Sequence, residues 1–522
     1  MNLFFDIPKV HQVDLLAGWL QPEDVAKLDV AVMCHKHRKE LMDLLRSPEC
    51  VLGYLEFMWE GTMEWIMHCQ VKFTSISITN KFLSDGETVE RVMQIIGPTL
   101  ISLEYNCSVA KEDSDDEEES LDPAPISMDQ IMYYFVRYVT HLESLRLLRG
   151  AVDGMVSVLL NSNRNTLKSF ELSECDNVNA SILKACCDSP CLEEVTIVFC
   201  QFTEEATRFS AKTNTTCRNL RFSGELFSNQ IANFVCKFSH LRYVEVYVSG
   251  ANLVTLSCCC TLVEHANVKL FDPLTLQQAT SIALNWKQIV QLQILSGDAD
   301  AHVCEQNVVL LFINKCPKLQ QLALAPRLET AQFMPAVPFA AESRAARSKL
   351  LELTVSQLSK NALNTILKKC PELVYLCIHH PVPSYIAPDS AEFALALLNH
   401  TKVTHLYLVN CFNFMSEHVE PLCHLHKLVL HSMGEVEVVA IDASAVTRLA
   451  QRCPQLHTMH VHHCRNIHYE AVLSVLQVAP QLLDFEYFDS ANKPAHLSAA
   501  EILLQHTMYM LYPRLRRFLM RS

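Results

Sequence analysis

The chain has 522 residues, half of them apolar, and a formal charge of −14. One compact core rarely grows past about 250–300 residues, so a chain of this length calls for several domains or for one elongated architecture. The acidic balance argues against nucleic acid as the main partner, because phosphate binding needs a basic footprint.

No run of about 18 apolar residues occurs, so no membrane span is expected. The opening "MNLFFDIPKVHQVDLL" lacks a basic n-region and carries Asp6 early, which makes it a poor signal peptide. The 22 cysteines are then expected in a reducing compartment, cytoplasmic or nuclear, as buried thiols rather than a disulfide framework.

Residues 1–60 read as short helices outside any repeat. Ile7-Pro8 opens one, Leu15, Leu16, Trp19 and Leu20 give it an apolar face, and Pro22-Glu23-Asp24 suits the next helix start. Val25, Leu28 and Val32 then form a helical stripe. This segment resembles a degenerate F-box, the helical module that docks on the Skp-type adaptor of cullin–RING ubiquitin ligases. Ile7-Pro8 stands for the family's Leu-Pro, and Leu20 with Asp24-Val25 for its leucine and Asp-Leu. Val32 to Arg38 stands for its closing Val-Cys-x-x-Trp-Arg, with His37 at the tryptophan. The resemblance implies adaptor contacts through Ile7, Pro8, Leu15, Leu16, Leu20, Asp24, Val25 and Val32. The alternative is a helical cap, which any open repeat array needs.

From residue 61 to 522 one frame recurs, L-x-x-L-x-L-x-x-C, often preceded by Cys-Pro. "CPKLQQLAL", "CPELVYLCI", "CPQLHTMHVHHC" and "NTLKSFELSEC" share it. This is the leucine-rich repeat pattern. Frame starts fall at Phe73, Leu100, Leu142, Leu167, Leu192, Cys217, Leu241, Val263, Ile289, Leu319, Leu350, Leu373, Val403, Leu425, Leu456, Leu482 and Leu515. They make about 17 irregular repeats. The alternating L-x-L predicts a short strand with its apolar side chains on one face. "NVNASILKACCDSP" predicts a following helix that stops before proline. The expected fold class is α/β: a right-handed leucine-rich-repeat solenoid, a horseshoe with a parallel sheet on its concave face and helices outside. The frame resembles the cysteine-containing subfamily of such repeats, known from F-box receptor proteins. Cys175, Cys200, Cys411 and Cys464 are expected to pack at the turn after the strand. Cys316, Cys370 and Cys453 are expected under the next strand.

Two interruptions stand out. "KEDSDDEEESLDPAP", residues 111–125, holds eight acidic residues and one basic, and is expected to be a disordered insertion. Ser114 ahead of "DDE" is a candidate phosphosite there. Residues 325–348, broken by three prolines, are expected to form a long loop.

Positions 3, 5 and 7 of each unit should face away from the core, on the usual binding surface of a solenoid. In the late repeats these positions gather Tyr375, His379, His405, Tyr407, His431, His460, His462 and Glu486. A peptide-binding patch of amphipathic rings is the favoured reading. The alternatives are a patch without a ligand, and zinc held by His431, His460 and His462, for which no clear carboxylate orienters are visible and Glu486 is the nearest candidate. No metal or other cofactor is assigned.

No phosphate loop, G-x-S-x-G elbow or H-E-x-x-H helix occurs, so no catalysis is expected. The expected function is protein–protein interaction, as the substrate-recognition subunit of a cullin–RING ligase that binds a target protein on the concave face. The alternative is a non-catalytic scaffold without that link.

Overall fold

A computed structural model describes most of residues 2–488. The main stretches outside the description are 108–127, 204–210, 297–305, 327–347, 380–396, 410–423, 432–442, 463–477 and 489–522. The acidic insertion with Ser114, Cys411, Cys464 and the Leu515 repeat all lie outside the described residues.

The chain forms two compact units, Met1–Tyr247 and Val248–Ser522. The first carries β1 (Val51–Glu56), β2 (Lys72–Thr79), β3 (Ser102–Asn106), β4 (Ser144–Leu148), β5 (Ser169–Ser173), β6 (Glu194–Cys200), β7 (Asn219–Gly224) and β8 (Tyr243–Val248). Each strand pairs in parallel with the next. The second unit carries β9 (His265–Leu270), β10 (Gln291–Ser296), β11 (Gln321–Pro326), β12 (Glu352–Ser356) and β13 (Tyr375–His379). It continues with β14 (His405–Val409), β15 (Lys427–His431), β16 (Thr458–His462) and β17 (Asp484–Phe488), again paired in parallel in chain order. Between strands run helices such as Ala180–Asp188 and Leu276–Asn285, packed side by side in their own layer. The architecture of each unit is that of an α/β leucine-rich-repeat solenoid.

The register follows the frame. Position 4 of successive repeats pairs Leu103, Leu145, Phe170 and Val195 in line. Frame positions 1, 4 and 6 are buried; Leu167, Phe170 and Leu172 are each 0 % exposed. One repeat starts earlier than the sequence suggests. Leu52 pairs with Phe73 and Leu55 with Ile76, so residues 51–56 are a strand inside the segment expected to be helical. The reason is the frame itself: Leu52-x-x-Leu55 occupies positions 1 and 4, 21 residues ahead of Phe73. The loop expected from Ala325 also begins later, because Ala325 and Pro326 pair with Leu295 and Ser296 at the end of β11. Proline is tolerated at such a strand end.

Two devices turn the chain at each end of a repeat. At the end of the strand, position 8 adopts a left-handed conformation in three consecutive repeats, at Arg149, Glu174 and Phe199, with φ of 54°, 55° and 54°. That turn sends the position-9 thiols inward. Cys175 and Cys200 are buried, and Cys200 Sγ donates to the Val198 carbonyl at 3.3 Å. Before the strand, the last helical turn leaves carbonyls without intrahelical partners. A side chain of the following repeat meets one of them. Asn163 Nδ2 donates to Val139 O at 3.1 Å, Asn214 Nδ2 to Ser189 O at 2.8 Å and Trp286 Nε1 to Cys260 O at 2.9 Å. His400 Nε2 meets Cys370 O in the same way at 3.0 Å. Cys316, Cys370 and Cys453 fill the helix end three residues before the frame start, all buried. Burial pushes the thiol pKa of Cys316 up to about 12 and that of Cys370 to about 11.

The N-terminal helices α1 (Asn2–Phe5), α2 (Lys9–Gly18), α3 (Pro22–Ala31) and α4 (His35–Leu45) precede β1. Helices α2 and α3 pack on β1. Asp29, 4 % exposed, ties them to the first repeat helix (Thr62–Cys69): its carboxylate pairs with Arg38 at 3.2 Å and accepts from Cys69 Sγ at 3.9 Å.

Candidate functional site: the open face of the second unit

Side chains at positions 3, 5 and 7 project from the sheet face that the helices leave open. The position-5 line differs sharply between the two units. In the first unit it is charged, and its charges pair with one another. Arg146 lies 3.1 Å from both Glu104 and Glu171, and Ser77 donates to Glu104 at 3.1 Å. Arg221 sits 3.8 Å from Glu245, which also accepts from the Tyr243 hydroxyl at 2.9 Å.

On β13 to β15 of the second unit the same line becomes apolar and nearly buried, with Cys377, Tyr407 and Val429 6 %, 8 % and 8 % exposed. Cys377, Tyr407 and Val429 pair in register on β13, β14 and β15 and form one cluster with Tyr375 packed against it. The Tyr375 and Tyr407 rings lie 4.8 Å apart at 40°, and Lys427 Nζ sits 5.4 Å from the Tyr407 centroid. His460 extends the line on β16 beside Val429 and is 8 % exposed. Burial raises the Cys377 thiol to about 12 and drives both tyrosine hydroxyls upward, so this floor is neutral at physiological pH.

The sequence-predicted residues divide as follows. Tyr375, His405, Tyr407 and His460 share the open face. His379, His431, His462 and Glu486 lie on strands whose register pairs His431 with His462 and His460 with Glu486, but their side chains fall outside the described residues. Among the described residues no group of three or more His, Cys, Asp or Glu side chains is arranged to hold a metal. Of the N-terminal candidates, Leu16, Val25 and Val32 are 0 %, 0 % and 3 % exposed. Ile7, Leu15 and Leu20 are half-buried, and Pro8 and Asp24 are exposed.

Two groups escaped the sequence reading. The first is a line of imidazoles at the strand entrances. His405 lies 6.3 Å from His426, which stands edge-on to His457 at 6.0 Å. Burial, with His426 and Lys427 nearby, lowers the His405 pKa, and burial likewise lowers that of His424. Only position 2 of the frame would have disclosed His426 and His457. The second is a hollow over Ala323, lined by Gln291, Gln293, Gln321, Glu352 and Thr354. The rule that selects positions 3 and 5, applied to the Ile289, Leu319 and Leu350 repeats, finds it.

No family model matches this sequence, and no curated protein matches it significantly. Solved structures do resemble it at low identity. A Leptospira interrogans LRR protein is 11 % identical with a TM-score of 0.41, over 88 % of this chain and 98 % of that one. A TLR13–ssRNA13 complex gives 11 % and 0.40, over 84 % and 58 %. The Rad7–Elc1 complex of yeast gives 10 % and 0.36, over 92 % and 96 %. Scores this low carry no argument about binding.

Proposed function

We propose that this protein is a protein-interaction solenoid that holds a partner segment on the open face of its second unit. The observation that supports this most is the change along position 5. In the first unit Glu104 and Glu171 share the guanidinium of Arg146, whereas Cys377, Tyr407 and Val429 form a neutral apolar floor with Tyr375. Preformed apolar ground flanked by a few polar groups suits recognition, because little side-chain entropy remains to be lost on binding. Among the described residues of this face no nucleophile is paired with a base, and the reading is non-catalytic.

The test is a random-sequence peptide array probed with the full chain and with Val429→Asp. Loss of the hits by roughly thirtyfold or more is expected. Arg146→Ala, in the first unit, should leave them unchanged. Equal binding by wild type and Val429→Asp would remove the face from consideration.

A second reading adds a docking role for the N-terminal helices, as the substrate-recognition subunit of a cullin–RING ligase. It rests on the F-box resemblance and on exposed Pro8 and Asp24. Against it, Leu16 and Val25 are fully buried in helices that pack on β1, as a plain cap would be. Co-purification with a Skp-type adaptor that is lost in Leu20→Glu, with the peptide hits retained, would favour docking. Absence of adaptor from wild-type preparations would leave the scaffold with a cap.

A further inference from the structure

The hollow over Ala323 is bordered by three glutamines, Glu352 and Thr354, with no lysine or arginine among its lining residues. Ala323 is the shortest side chain on its line, between Gln293 on β10 and Thr354 on β12. The missing bulk leaves a shallow hollow that opens to solvent. On the neighbouring position-3 line Gln291, Gln321 and Glu352 pair in register. Glu352 is 7 % exposed; its carboxyl shares a hydrogen bond with the Gln321 side chain, and among the described residues no cation pairs with it. Its register neighbours are Gln321 and Tyr375, both uncharged. One strand further, Asn267 pairs with Gln293, and its Oδ1 is buried without a hydrogen-bond partner. A carboxylate held out of water with no counter-charge is costly. The same group becomes favourable once a cation arrives to share its burial.

We propose that this hollow is a subsite for the side-chain cation of an arginine or lysine on the bound partner segment, with Glu352 as its counter-ion. The inference rests on the partner-binding reading of this face and narrows the partner to a basic segment. Spacing narrows it further. Neighbouring strands lie about 4.8 Å apart, which puts Tyr407 about 10 Å and Val429 about 14 Å from the Glu352 strand. An extended chain rises about 3.3 Å per residue. A basic residue in the hollow therefore sets a large apolar residue, about three or four positions away, over Tyr407 and Val429. The amides of Gln291, Gln293 and Gln321 offer further acceptors to a guanidinium, which has five N–H donors against three for an ammonium.

The experiment takes synthetic peptides in which leucine stands three or four positions from arginine, lysine, citrulline or norleucine. Their affinity for the full chain is measured against wild type, Glu352→Gln and Val429→Asp. Arginine and lysine peptides should bind wild type about ten- to a hundredfold more tightly than the citrulline and norleucine ones. Glu352→Gln should erase that preference while keeping the leucine-dependent remainder, and its unchanged thermal unfolding cooperativity will show that it folds. An advantage for arginine over lysine would identify the guanidinium as the better fit; parity would leave either cation as the ligand. If Glu352→Gln keeps the full cation preference, the subsite is refuted although the face stands. If Val429→Asp also binds every peptide as wild type does, the reading of the face itself fails.

Discussion

The Tyr375 and Tyr407 rings, on neighbouring parallel strands, pack 4.8 Å apart and close the surface above Cys377. Tyr407 is 8 % exposed, so its ring acts as part of the molecule's packing as well as its surface. Tyr407→Ala should cost about 3 kcal/mol, the range of large aromatic truncations. Tyr407→Phe keeps the ring and should cost less than about 1 kcal/mol. Urea unfolding of both variants checks this. Equal losses would assign the effect to the hydroxyl instead of the ring.

Trp286 is fully buried, and its indole N–H serves the Cys260 carbonyl at the end of the preceding helix. Trp286→Phe fills most of the volume but leaves that carbonyl without its donor. A loss of about 1–3 kcal/mol is expected. Faster amide exchange should appear in the helix Gly250–Cys259, the one whose end is served. Exchange confined to the helix that precedes Trp286 would contradict the assignment.

Burial holds the Glu352 carboxyl above the usual carboxylate range, opposed in part by its hydrogen bond with Gln321. The folded state therefore favours the proton more than the unfolded chain does. The stability this group contributes is complete below its unfolded value of about 4.3 and is lost as pH rises through the folded value. Glu352→Gln removes the ionisation, so its melting temperature should exceed that of wild type at neutral pH. The gain should disappear below about pH 4. A variant that melts lower at neutral pH would show that the carboxylate is already compensated. His405 has the opposite sign: its pKa is lowered, so its contribution is present above about pH 6.5 and fades as pH falls.

Much of this architecture was legible because burial enforces it. Position 1 of a repeat must enter the core, and Leu142, Leu167, Leu192 and Cys217 all read correctly for that reason. The Leu52 repeat was missed because Gly53 and Tyr54 sit between its two leucines and helical sequence surrounds it. The carbonyl-serving residues Asn163, Asn214, Trp286 and His400 share a task but not a chemistry, and no residue pattern connects them. The candidate site was legible at Tyr375 and Tyr407, where the rings advertise themselves. Glu352 and Ala323 occupy positions 3 and 5 and so were legible as facing residues, but the hollow between them is a difference between neighbours that the register brings together.

The central claim is that a partner lies on the open face of the second unit. Its most direct test is a photo-crosslinking residue placed at position 429 of the full chain in its own cells, beside a control at position 171 in the first unit. The account predicts a discrete adduct from position 429 that disappears with Tyr407→Ala, and none from position 171. Adducts from position 171 alone, or from neither position, would contradict it.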